Sequence, residues 1–288
     1  MKIEVTYMSG AGNTFSVIDN SRCRLSKAQA AELAGILCFE NDVNHHRTEG
    51  LILIDLPTED DCDFSAEFFN PDGTCDAMCG NGGRCAVRFA SLMPNIKLKS
   101  NGKFSMAEAK YCYTLPTDSD LICLHFSAPL AYKDKFFVIG ESAVYSGTYV
   151  DVGTRHYILN FNATVGADDF KHYDINSIAR EIRYANEFAP HGVNVNFFKI
   201  ENGTVYLRTY ERGVEFETGA CGTGAISTAI AIVHNKLLDF PVKIVPTSGL
   251  PLYVDSIGTK LHEEYSLTGP AEIFDKQNIE TNLIDRIL

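Results

Sequence analysis

The stretch Met78-Cys79-Gly80-Asn81-Gly82-Gly83-Arg84-Cys85 and its echo Ala220-Cys221-Gly222-Thr223-Gly224-Ala225 organise this chain. Each sets a cysteine and a glycine-rich turn directly before a run of small, apolar residues. After Cys221 the run Ala225-Ile226-Ser227-Thr228-Ala229-Ile230-Ala231-Ile232-Val233 is apolar on nearly every face, which predicts a helix buried all round. A cysteine at the start of such a helix lies beside unsatisfied backbone N–H groups and the positive end of the helix dipole. Both depress a thiol pKa. The same N–H groups form a site for a carboxylate. One such site suggests a nucleophile or a base; two suggest a pair of thiols facing one small acid.

The spacing around them points to an internal duplication. Gly12-Asn13-Thr14-Phe15 precedes Cys79 and Gly153-Thr154-Arg155-His156 precedes Cys221, with the glycine 67 residues upstream in one case and 68 in the other. Self-similarity at a fixed offset is a fold-level signal. Two copies are too few for a solenoid, so two similar lobes meeting at a cleft are expected.

Local patterns fill in the lobes. Residues 3–7 alternate as a strand, 8–13 read as a loop, and 15–18 as a second strand. Ser26-Lys27-Ala28-Gln29 fits a capping box opening a helix with Ala30, Leu33, Ala34 and Leu37 on one face, ending near Cys38. Residues 51–56 and 64–69 read as strands, and Asn70-Pro71-Asp72-Gly73 as a type I turn. Asn101-Gly102 and Asn202-Gly203 are hairpin signals, one per half. Asp174 is positioned to cap a helix carrying Ile175, Ile178, Ala179 and Ile182, and residues 204–210 form a further strand. The crossing between lobes falls in 118–130, and 261–267 with 269–274 are strand-like.

Composition narrows the function. At 288 residues the chain fits one large or two ordinary domains. Its net charge of −12 argues against a nucleic-acid or anionic-membrane surface. The N-terminus lacks the apolar segment of a signal peptide, and no apolar run reaches the roughly 18 residues of a membrane span. Nine cysteines are an odd number and irregularly spaced for a disulfide framework, so reduced thiols in a cytoplasm are expected.

Four chemistries are open to the two cysteines. Metal binding would draw on Cys75, Cys79 and Cys85, but no Cys-x2-Cys pair occurs. A redox pair would ordinarily show Cys-x-x-Cys, also missing. Simple burial suits Cys23, Cys38, Cys62, Cys112 and Cys123, yet explains poorly why Cys79 and Cys221 both precede glycine-rich helix starts. The fourth is two-base proton transfer at a chiral carbon, with one thiolate removing a proton and one thiol returning it on the opposite face. Helix N-termini would then supply preorganised donors where negative charge develops. Only this reading uses both cysteines, both glycine turns and the duplication together.

The residues also resemble the cofactor-independent diaminopimelate epimerase family. The family's motifs appear in order as Gly10-Ala11-Gly12-Asn13, Asn70 to Thr74, Met78 to Cys85, Val193-Asn194 with Phe197, Arg208-Thr209-Tyr210-Glu211-Arg212-Gly213, Glu217-Thr218, Ala220 to Gly224, and Leu267-Thr268-Gly269-Pro270-Ala271-Glu272. The resemblance implies an α/β fold of two pseudo-symmetric lobes, each a curved, mainly antiparallel sheet around a central helix. Residues 1–122 would form the N-terminal lobe, 123–268 the C-terminal lobe, and 269–288 would return to the first. It implies stereoinversion of LL-diaminopimelate to the meso form, in lysine and peptidoglycan precursor synthesis, without pyridoxal phosphate, metal or nucleotide. Cys79 and Cys221 would be the acid/base thiols, with His156 and Glu211 beside them. Gly80, Asn81, Gly222 and Thr223 would hold the reacting carboxylate. Asn13, Asn70, Asn194 and Arg212 would hold the distal groups, Arg212 as a bidentate carboxylate partner. A small amino acid is thus the expected partner, with no nucleic acid or membrane and with room for a homodimer. The same two thiols racemising another amino acid is the alternative, and a non-catalytic thiol or ligand-binding protein a remoter one.

Several positions depart from the family pattern. Tyr7-Met8-Ser9-Gly10 replaces Lys-x-His-Gly, and Thr14 replaces an aspartate. His45-His46-Arg47-Thr48-Glu49-Gly50 exchanges two loop glycines for bulky residues, Thr154-Arg155 loses a proline, and Phe216 stands where a small or acidic residue is usual. These changes leave the two-thiol chemistry untouched and bear on the choice of amino acid.

Overall fold

The computed structural model describes residues 2–39, 44–75, 79–116, 119–166, 168–258 and 263–280. Met78, Asp118 at the expected start of the crossing, residues 261–262 of the expected tail strand, and 281–288 lie outside the described residues.

In chain order the elements are β1 (Lys2–Gly10), β2 (Asn13–Asp19), α1 (Asn20–Cys23), α2 (Lys27–Leu37), β3 (Gly50–Asp55), β4 (Phe64–Phe69), α3 (Gly80–Ala90), β5 (Asn101–Met106), β6 (Ala109–Thr114) and β7 (Ile122–Ser127). There follow β8 (Ala131–Ile139), β9 (Val144–Asp151), β10 (Arg155–Asn160), α4 (Phe161–Val165), α5 (Asn176–Arg183), β11 (Asn194–Glu201), β12 (Thr204–Glu211), β13 (Phe216–Thr218), α6 (Gly222–His234), β14 (Val242–Pro246), β15 (Leu252–Ser256), β16 (Glu264–Gly269) and β17 (Glu272–Glu280). The fold class is α/β. The chain divides into two compact units, Met1–His125 with Thr268–Leu288, and Phe126–Leu267.

The pairings repeat step for step. In the first unit β17–β1 and β1–β2 are antiparallel, β2–β3 parallel, β3–β4 antiparallel, β4–β5 parallel and β5–β6 antiparallel. In the second, β8–β9 and β9–β10 are antiparallel, β10–β11 parallel, β11–β12 antiparallel, β12–β14 parallel and β14–β15 antiparallel. A parallel pair needs a long crossover. The equivalent helices α2 and α5 make the first crossover in each unit, and α3 and α6 the second. Strand β13 has no counterpart among the described residues.

Each second crossover helix becomes the core. Helix α3 packs on β1, β2, β3 and β4, and α6 on β9, β10, β11, β14 and β15. The N-terminal eight residues of α3 and nearly all of α6 are buried. Only small side chains let strands come so close. A Cβ on Gly10 would lie 2.5 Å from the Asn81 carbonyl oxygen, so that glycine serves the approach of β1 to α3. The expected loop at 8–13 is thereby reduced to Ala11-Gly12, a two-residue turn with positive φ at both positions, as a tight hairpin requires. A second hydrophobic layer lies outside each sheet. Leu33 and Leu37 of α2 join Val5, Leu51 and Leu53, and Ile175, Ala179 and Ile182 join Leu159, Val195 and Phe197.

The Ser26–Gln29 capping box forms as expected, with C-cap Cys38, and Asn202-Gly203 turns β11 into β12. Asn101-Gly102 does not make a hairpin. It lies inside β5, opposite Thr114 and Tyr113, and the turn falls at Ala107-Glu108. Gly102 is there because Asp63 and the Tyr113 ring press on it: a Cβ would sit 2.0 Å from Asp63 Oδ2. Helix α5 starts one residue later than its capping pattern suggests, with Ile175 at the N-cap position. Asp174 still accepts from the Asn176 backbone N–H at 2.9 Å.

Candidate active site

Both expected thiols are helix N-caps in extended conformation, φ −101° for Cys79 and −123° for Cys221. Their surroundings begin identically. Gly82 N–H donates to Cys79 Sγ at 3.4 Å and Gly224 N–H to Cys221 Sγ at 3.4 Å. The chain turns so tightly at this point because the third helical residue is glycine: a Cβ on Gly224 would come within 3.1 Å of Cys221 Cβ. Cys221 is 8 % exposed and Cys79 half-buried.

A polar residue from a strand meets the second helical residue in each unit. In the first, Asn81 Nδ2 donates to Asn13 Oδ1 at 3.0 Å, and Asn13 Nδ2 donates to the Glu49 carboxylate. Arg84 Nη2 donates to Asn81 Oδ1 at 2.8 Å, which fixes which way that amide points. In the second, His156 Nε2 lies 3.1 Å from Thr223 Oγ1, and Cys221 Sγ is 3.6 Å from the same hydroxyl. Asn196 Nδ2 donates to the Gly224 carbonyl at 2.9 Å and to Thr228 Oγ1 at 3.0 Å, so its Oδ1 faces His156 Nδ1 at 3.2 Å. That oxygen can only accept, which places the proton of a neutral imidazole on Nδ1 and makes Nε2 the acceptor for the Thr223 hydroxyl.

Charge is tuned by burial. His156 is 0 % exposed, and desolvation lowers its pKa to about 4, with the Arg212 charge adding to the fall and the Asn196 hydrogen bond opposing it. The imidazole is therefore neutral at pH 7. Burial raises the Glu211 carboxyl, and its hydrogen bonds to the Thr218 hydroxyl and to Cys221 pull it back.

The remaining expected residues separate into local roles. Asn194 is a backbone clamp: its Oδ1 accepts from Arg212 N–H at 2.8 Å and its Nδ2 donates to the Arg155 carbonyl at 3.1 Å. Arg212 is exposed, with Nη1 on the His191 carbonyl at 3.3 Å. Asn70 shapes its own turn, accepting from Gly73 N–H at 2.9 Å and donating to Thr74 Oγ1 at 2.8 Å. Among the described residues no three His, Cys, Asp or Glu side chains converge as a metal site. Among the described residues no helix is long and apolar enough to cross a membrane.

Sequence reading passed over Glu49, Arg84 and Asn196. Asn196 had a usable signal, since Asn194 and Asn196 alternate in one strand and so share a face. Arg84 had one too, as the single charge among the small, uncharged residues that fill the first eight positions of α3.

The fold is shared with a hydroxyproline epimerase from Agrobacterium vitis, whose solved structure superposes with a TM-score of 0.68 at 14% identity over 96% of this chain and 92% of that one. No protein-family model matches the chain. Two relatives named diaminopimelate epimerase align over most of their length. That of Aquifex aeolicus is 32% identical over 263 residues, covering 88% of this chain and 90% of the relative. That of Chlorobaculum tepidum is 33% identical over 266 residues, covering 92% and 96%. The chain belongs to the diaminopimelate epimerase family.

Proposed function

We propose that this enzyme interconverts LL- and meso-2,6-diaminopimelate by proton transfer at Cα, using Cys79 and Cys221 as its two bases. One observation carries the reading: in a chain of this family, each of two repeated units sets a cysteine at the N-cap of the buried helix that makes its second crossover. One sulfur, as thiolate, takes the α-proton; the other, as thiol, donates its proton to the opposite face of the carbanion. The first sulfur ends as thiol and the second as thiolate, so atoms and charge balance and the reverse reaction exchanges the roles.

The chain's own groups support this chemistry without a cofactor. First-turn N–H groups at Gly80, Asn81, Gly222 and Thr223 would hold the reacting carboxylate, where charge accumulates as the proton leaves. His156, neutral and locked by Asn196, would keep Thr223 oriented, and Glu211 would exchange a proton with Cys221. Asn13, Asn70, Asn194 and Arg212 would recognise the distal amine and carboxylate. Such an activity fits a cytoplasmic supply of lysine and cell-wall precursors.

The test is incubation of the reduced protein with LL-diaminopimelate in D2O, followed by NMR for Cα deuterium and stereochemistry. Deuterium incorporation with meso product supports both chemistry and substrate. Exchange only with other amino acids would retain the two-thiol mechanism and replace the substrate. No exchange with either would overturn the reading.

A further inference from the structure

Arg84 is 0 % exposed, yet among the described residues its hydrogen bonds run only to neutral oxygens. These are Asn81 Oδ1 at 2.8 Å and the carbonyls of Gly80 and Pro270, each at 3.4 Å. Burying a guanidinium without a carboxylate is costly. The fold itself does not ask for that cost. The fifth residue of the equivalent helix α6 is Ile226, also 0 % exposed, so the same position in the same architecture accepts an apolar side chain.

What Arg84 touches suggests what it is for. It begins a string that runs from its own charge through Asn81 and Asn13 to the Glu49 carboxylate. A cation at one end and an anion at the other hold both amides in a single orientation. Its charge also interacts with Cys79 and Cys85, the thiols at either end of the first turn and a half of α3. Burial pushes Cys85 up to about 12, so that thiol stays neutral and leaves Cys79 to respond to the guanidinium. The other charged side chains on the strands packed against α3 are engaged elsewhere: Lys2 with Glu280, Glu4 with Lys276, Asp19 with Arg22, Asp55 with Asn20, and Glu67 with Lys27. Tyr7 donates to Asn44 and to Gln277. Cys221 has the reverse environment, a hydrogen-bonded carboxylate in Glu211.

We propose that Arg84 is the counter-charge and positioning residue of Cys79, favouring its thiolate and fixing the amides of Asn81 and Asn13. This rests on Cys79 acting as an acid/base thiol. The test is alkylation of the full-length reduced protein by iodoacetamide from pH 5 to 10, with the rate at each cysteine read by peptide mass spectrometry. In the wild type the midpoint at Cys79 is expected below that at Cys221. In Arg84→Gln the Cys79 midpoint rises by about one pH unit, roughly a tenfold loss of rate at pH 7, while the Cys221 profile stays put. Arg84→Lys restores part of the shift, because it keeps the charge and loses the fork. An unmoved Cys79 profile in Arg84→Gln with wild-type circular dichroism overturns the proposal. If Arg84→Gln does not fold, the wild type decides: a Cys79 midpoint at or above that of Cys221 overturns it. Alkylation needs no substrate, so failure of diaminopimelate exchange and failure of this proposal are separate results.

Discussion

In the first unit, the thiol at the head of the buried helix lies near a guanidinium and a string of amides. In the second, the equivalent thiol has a carboxylate, a hydroxyl and a neutral imidazole around it. The six strand pairings, the two crossover helices and the N–H to sulfur distance of 3.4 Å are the same in both. Duplication has thus preserved what the backbone supplies, an N-cap and its N–H groups. It has let diverge what side chains supply, which is charge. A reaction that needs one sulfur to take a proton while the other gives one calls for that combination.

The largest expected effect tests whether both units are needed. Cys79→Ser and Cys221→Ser should each lower the rate of Cα exchange by about a thousandfold, the middle of the range for a positioned acid or base, with circular dichroism unchanged. Full activity in either variant would leave one unit as scaffold only.

A second contrast concerns the buried arginines. Arg208, 11% exposed at its side chain, is paired with Glu217 at 2.5 Å and also donates to the Phe170 and Tyr173 carbonyls at 2.7 Å. Glu217→Leu should strand that charge and cost about 3 kcal/mol, at the low end for breaking a buried pair, measured by urea unfolding. Arg84 has no carboxylate partner among the described residues, so its removal to an apolar residue should cost the fold less.

The third prediction uses pH. His156 has a folded-state pKa of about 4 against an ordinary 6.5. Above pH 6.5 both folded and unfolded states hold it neutral, and its contribution is fully present. Between pH 6.5 and 4 the unfolded chain binds a proton that the folded chain refuses, so stability falls as pH falls. The loss is on the order of 3 kcal/mol. His156→Gln should flatten that part of the stability curve, and an unchanged slope would mean the imidazole is solvated. The smallest effect is expected for Ser26→Ala, which removes the capping box of α2 and should cost about 1 kcal/mol.

Where the sequence reading succeeded and failed has a common cause. The helix starts at Cys79 and Cys221, the capping box at Ser26 and the turn at Asn202-Gly203 are set by neighbouring residues, so short motifs reveal them. Asn101-Gly102 carries the same local signal and fails, because contact with Asp63 and Tyr113, distant in sequence, takes the glycine for close packing and hands the turn to Ala107-Glu108. Gly10 likewise reads as part of a loop and lies instead at the end of β1, pressed against Asn81 of α3. The Asn194 side chain spans the backbones of Arg212 and Arg155, partners that no short motif announces.

The sequence by itself determined the duplication, the two thiol-capped helices and the order of motifs, since each is written in residues close together along the chain. Tertiary structure alone decided which groups surround each sulfur. Glu49 meets Asn13 across 36 residues, His156 meets Asn196 across 40 and Thr223 across 67. Those partners are chosen by parallel strand pairing and by how closely glycine lets a strand approach a helix. The burial that makes His156 neutral, and that leaves Arg84 without a carboxylate among the described residues, exists only once the sheets have packed.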